Sequence, residues 1–340
     1  MLRTLPLLFI ALMPPPPALA DEDTLEPGEP IDYSKLAFYP ERWKERGMDL
    51  ELVPWEGEHI AFLTIGSDYG AETMGSLVKR LDSGWSLYRE LTGRSPRPFR
   101  VVNGKATIAA VPGGLTCGYG CGYLGATGIE MTDFYGGHLG RLQKDPKDVP
   151  HAYFYEMGRN YYTFGNRHSC FTTGFAVFMR YVCMDALELN DTDRATRAVI
   201  EAAIAEYEKS DLSFLPTFTN AHGPGEKENR LKSRPTDQPV MYASAMLHLK
   251  DELPDKWLAA FFRQIATCPN ADPKTEDGSQ SQAFYWFLAA SCAAKKNLSP
   301  IFVDRWRLEL TSAQKEILQS VDWDAKDLEA GGILSDAETD

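Results

Sequence analysis

An α+β fold is what the sequence predicts, on three observations. Short β-branched or apolar runs are confined to the first half of the chain, and a long amphipathic helical segment falls between the first two of them. From Pro150 onward strand signals nearly vanish and apolar periodicity becomes helical. A small mixed sheet with a helix, followed by a mainly helical half, places a cleft at the junction of the two.

His59-Ile60-Ala61-Phe62-Leu63-Thr64 reads as the first strand. The helix after it runs from Ala71 to Leu91, because Leu77, Leu81, Trp85, Tyr88 and Leu91 recur at spacings of three or four and so share one face. Gly93 and the Pro96/Pro98 pair end it. Ala106 to Val111 is a second strand, and Gly128 to Met131 a short third one after a Gly-rich stretch beginning at Gly113. Helices are then expected over 151–164, 171–188, 193–209, 239–250, 255–267 and 280–294, with long surface loops over 220–238 and 268–278. The acidic end, 313–340, reads as a frayed tail.

Of 340 residues, 44% are hydrophobic and 24% charged, which excludes a disordered, collagenous or coiled-coil chain. Lys plus Arg number 35 against 48 Asp plus Glu, a net charge of -13, so nucleic acid and anionic membranes are poor partners. Residues 1–20 combine Arg3, an apolar run from Leu5 to Met13 and Ala18-Leu19-Ala20, which reads as a secretory signal peptide, with residues 21–57 as a leader segment. No later stretch has the length and apolarity of a transmembrane segment, and a secreted or periplasmic location is expected. In such an oxidising compartment the six cysteines favour the local pairs Cys117–Cys121, Cys170–Cys183 and Cys268–Cys292.

The helix after Pro150 carries the functional argument. His151, Tyr155 and Arg159 are four apart and stack along one face, with Glu156 one turn before Arg159. The next helix opens Phe171-Thr172-Thr173-Gly174-Phe175-Ala176. This pair resembles the core of the gluzincin zinc metallopeptidases, and among them the enhancin-like, mucin-targeting peptidases. Pro300 to Trp306 and Leu310-Thr311 are similar to the end of their catalytic domain, so the resemblance covers roughly 58–312. It implies a zincin-like domain over those residues, with a sheet subdomain at 58–149 and a helical one at 150–312.

The resemblance places Tyr155 and Arg159 where the family's H-E-x-x-H motif has its two His ligands, Glu156 as general base, and Thr173 at the Glu ligand. Zinc, the family's cofactor, is therefore not expected here. Arg has no lone pair to give, and Tyr and Thr hydroxyls are weak donors. Arg159 instead stands where the metal's charge would be, able to pair with Glu156. His151 and His168 could make a relocated metal site, though no third ligand is evident. In zincins the edge strand before the active helix pairs with extended substrate, and Gly128, Ile129 and Glu130 occupy that order. With Thr173 and Tyr162, they are the candidate ligand-contacting residues.

The Gly-rich stretch from Gly113 to Gly128 lacks a following Gly-Lys-Ser/Thr and is no phosphate loop. The expectation is an exported, metallopeptidase-like protein that binds a peptide, glycoprotein or cell-wall-associated ligand without hydrolysing it. Its rival is an active hydrolase using Glu156 as base with Arg159 and Tyr155, or with a relocated metal.

Overall fold

The computed structural model describes residues 51–337 except 117, 165–169, 192, 220–237 and 273–274. The expected signal peptide, most of the leader and His168 lie outside the described residues. The described chain is mixed α+β, with a small mixed sheet first and helices after it.

Strands β1 (Leu52–Glu56) and β2 (Ile60–Ile65) form an antiparallel hairpin with Leu52 opposite Ile65. Helix α1 (Ala71–Thr92) then crosses over the sheet, as a parallel return requires. Beyond β3 (Val101–Val102), β4 (Lys105–Ala110) lies parallel to β2. β6 (Ile129–Met131) continues parallel to β4, and β5 (Gly120–Gly122) closes the far edge antiparallel to β6. Asp82 on α1 pins the hairpin by accepting the backbone N–H groups of Glu58, His59 and Ile60 at 2.7–2.8 Å.

A π-helical turn (Phe134–His138) and α2 (Leu139–Lys144) lead into the helical half. That half comprises α3 (Ala152–Tyr161), α4 (Cys170–Ala186), α5 (Arg194–Glu208), α6 (Phe214–Phe218), α7 (Gln238–Glu252), α8 (Trp257–Ile265) and α9 (Glu276–Ala294). A second π-helical segment (Pro300–Arg305), α10 (Ser312–Ser320) and α11 (Ala330–Ala337) complete it. One continuous apolar core joins the inner sheet face and α1 to these helices. Its centre in the helical half is Trp286, whose ring lies within 6.2 Å, centroid to centroid, of Phe171, Phe218, Tyr242, Phe302 and Trp306.

Four expectations are corrected. Residues 52–56, assigned to the leader, form a strand of the sheet. Ile129 and Glu130 are not on an open edge: β6 is paired on both sides and buried, and the edge is β5. The acidic C-terminal segment folds back as α10 and α11, with Ala330 N–H donating to Gln264 Oε1 and Gly331 N–H to Thr267 Oγ1. Cys183, Cys268 and Cys292 are free thiols, so the pairs Cys170–Cys183 and Cys268–Cys292 are not formed. Cys121 is disulfide-bonded, and its expected partner Cys117 lies outside the described residues.

Candidate functional site

Helix α3 is the element on which the predicted site residues converge. Tyr153, Phe154, Met157 and Tyr161 are fully buried and anchor it in the core, which turns Tyr155 and Arg159 to the half-buried side. Glu156 lies between these two faces and is buried, with 7% of its surface exposed. Helix α4 packs against α3 and brings Thr173 close to the Tyr155 side chain, whose pKa burial pushes up. Spacing put Tyr155, Glu156 and Arg159 on one helix, and Thr173, which the resemblance added, stands beside Tyr155.

What Glu156 does there differs from the expectation. Its Oε2 accepts the Gly122 N–H of edge strand β5 at 2.8 Å, and no ion pair with Arg159 forms. Arg159 acts on it through space, lowering a carboxyl pKa that burial pushes up from 4.5 to about 7. Strand β5 is seated directly on α3: a Cβ added to Gly122 would lie 2.5 Å from the Glu156 carbonyl oxygen, and one at Gly120 would lie 2.9 Å from the Glu156 side chain. Further along, the Asn160 amide donates to the carbonyls of Tyr123 and Gly128, and Gly125 N–H donates to the Arg159 carbonyl. These bonds fasten the β5–β6 hairpin to the helix, so the expected cleft is filled at this point.

The other predicted residues have structural surroundings. Gly128 has φ +126, and a side chain there would meet Tyr123 and Arg100, so glycine is required by the turn. Tyr162 follows α3, is 4% exposed, and packs on Phe164 and Phe175 away from Glu156. His151 lies 3.5 Å from Asp193 and beside Arg180, and burial with that cation pushes its pKa down to about 4. Among the described residues no group of three or more His, Cys, Asp or Glu could hold a metal ion. Tyr155, Arg159 and Thr173 do not fit zinc either, since the set offers no imidazole, thiolate or carboxylate.

A polar cluster was missed by the sequence reading. His138, fully buried, bonds through Nε2 to the Tyr119 hydroxyl and through Nδ1 to the Tyr153 hydroxyl at 3.1 Å, with Asp133 3.8 Å from Nε2. Burial holds its pKa down at about 4 against the pull of Asp133, so the ring is neutral at pH 7. A lone His in a Gly-rich segment gave no sign of this. The π-helical turn that carries it is the kind of irregularity that accompanies such placements.

No protein-family profile matches the chain, and no curated protein matches it. Among solved structures it is similar to a mutant of a functionally unknown conserved protein from Bacillus anthracis str. Ames, at TM-score 0.52 and 14% identity. The similarity covers 79% of this chain and 51% of that one, so the chain spans about half of that protein's length. This likeness concerns the fold alone. No described helix is long and apolar enough to cross a membrane.

Proposed function

We propose that the protein is an exported, non-catalytic binding protein on a zincin-like, gluzincin-related fold, which recognises a peptide or glycoprotein through the surface around Tyr155, Arg159 and Thr173. One observation carries the reading: the carboxylate at the general-base position is engaged by the Gly122 N–H, with β5 pressed against it. A general base must reach a water or a substrate proton. Here the strand occupies the space where an extended substrate would pass. Arg159, half-buried beside Glu156, supplies a cation for an anionic group of the ligand.

The hydrolase reading is favoured by a different observation. A Glu titrating near 7 is poised for proton transfer at neutral pH. The test is incubation of the full chain with casein and with a mucin-type glycoprotein, with and without added zinc. Unchanged substrates, no retained zinc, and glycoprotein or casein binding kept by Glu156→Gln but weakened by Arg159→Ala are expected. Cleavage products that disappear in Glu156→Gln would establish the hydrolase instead. The family overlay has its own check: the triple substitution Tyr155→His, Arg159→His and Thr173→Glu should confer zinc uptake on the folded protein.

A further inference from the structure

Helices α3 and α4 together show solvent one narrow face. From His151 to Tyr161 the residues that are not buried are His151, Tyr155 and Arg159, and from Phe171 to Arg180 they are Thr173 and Arg180. The three on α3 are four apart and the two on α4 seven apart, so each set follows one side of its helix. The sets meet, because α4 packs on α3 with Arg180 Nη1 3.2 Å from His151 Nδ1 and Thr173 beside Tyr155. The face runs about 12 Å from His151 to Arg159 at the rise of an α-helix.

None of the five side chains is aliphatic or acidic. Among the described residues neither Arg159 nor Arg180 is in an ion pair, on a chain whose net charge is -13. Both guanidiniums act on the Tyr155 hydroxyl, opposing the rise in its pKa that burial causes, so the two cations bear on one place. Two acids border the face. Glu156 is buried and accepts from the Gly122 N–H, and Asp193 stands at the far end, 3.5 Å from His151. Arginines gathered without counter-charges repel one another, and an anion from outside relieves that repulsion through charge-assisted hydrogen bonds.

We propose that this face binds a short oligosaccharide bearing carboxylate groups, with Arg159 and Arg180 taking the carboxylates and the Tyr155 and Thr173 hydroxyls taking sugar hydroxyls. The inference rests on the binding function above and names the class of its ligand. Side chains are all that the face offers. The peptide groups of α3 and α4 are spent within the helices, and the Gly122 N–H of the neighbouring edge strand is bonded to Glu156. A peptide would therefore find no ladder to join, whereas a saccharide presents hydroxyl and carboxylate oxygens to such groups. The acidic surface of the whole chain repels a long polyanion, which favours a short ligand.

Titration calorimetry of the full chain with tetragalacturonate, with its methyl ester and with tetraglutamate tests it. The uronate should bind saturably, one per chain, and at least about tenfold tighter than the ester, which keeps the sugar and loses the charge. Arg159→Ala and Arg180→Ala should each weaken uronate binding about tenfold with the fold intact by circular dichroism, and Lys315→Ala, exposed on α10, should leave it unchanged. The ester comparison uses the native protein and decides the matter even where an arginine variant does not fold. No saturation at millimolar uronate, equal affinity for the ester, or tighter binding of tetraglutamate would overturn the proposal. If the uronate fails while Arg159→Ala still weakens casein or glycoprotein binding, the sugar class falls and the binding function stands. If the uronate binds and the chain also cleaves glycoprotein, the non-catalytic reading falls and the sugar class stands.

Discussion

The helix pair α3–α4 meets polar groups at one end and aromatic groups at the other, and the two ends differ in what they leave open. Around Glu156 the fold itself supplies the contacts: Gly122 donates the hydrogen bond, Asn160 ties down the hairpin, and α4 packs alongside. Around Tyr162, Phe164 and Phe171 the aromatic walls enclose free space. Residues whose types suggest catalysis are here tied into the fold, whereas an all-aromatic wall that reads as plain core borders free space.

Substitutions sharpen this contrast, beginning with the largest effect. Gly122→Ala puts a methyl group against a helix carbonyl that cannot swing aside, and should cost about 3 kcal/mol in denaturant unfolding. A loss below about 0.5 kcal/mol would mean that β5 is not fastened to α3 and that the cleft can open.

Glu156→Gln should act in the opposite direction at high pH. The folded-state pKa of about 7 lies above the usual 4.5, so folded and unfolded chains are equally protonated below pH 4.5, and stability is lost as pH rises through 7. The substitution removes that loss and should stabilise the protein by about 2–3 kcal/mol at pH 8 relative to pH 4.5. His138 and His151 have the reverse sign: both are held neutral, and their contribution fades as pH falls from 6.5 towards 4. The Glu156→Gln difference curve isolates the carboxyl, and a flat one would show Glu156 to be ionised and solvated.

Thr173→Val removes the hydroxyl that stands beside Tyr155 between α3 and α4 and should cost no more than about 1 kcal/mol. Arg159→Ala should change stability least, by less than about 0.5 kcal/mol, because its guanidinium is in no ion pair among the described residues. Its effect belongs to ligand binding, so a larger loss of stability would make it a structural residue.

The sequence was most readable where local chemistry and burial agree. The strands over 60–65 and 105–110 and the helix over 71–92 follow from β-branched and periodic apolar residues, and each lies within a residue or two of its expected bounds. Strand β1 was hidden by Pro54 and Glu56, which an edge strand tolerates. Strand β5, Gly120-Cys121-Gly122, has almost no strand propensity and exists because β6 and α3 hold it. Helices α10 and α11 were masked by the acidic segment between them and by their few apolar residues, though Leu318 and Leu334 are buried. Spacing alone put Tyr155, Glu156 and Arg159 together, but the partner that decides the role of Glu156 comes from 34 residues away and leaves no periodic trace.

Helix α11 has a mechanical consequence. Gln264 and Thr267, which hold its first turn, flank Ile265 and immediately precede Cys268, and these last two form part of the aromatic pocket's wall. The C-terminal helix therefore braces that wall through hydrogen bonds. Proteolytic trimming after Val321 would release three hydrogen bonds, those of Ala330, Gly331 and the Leu328 carbonyl, and loosen the rim without touching the Glu156 end of the molecule.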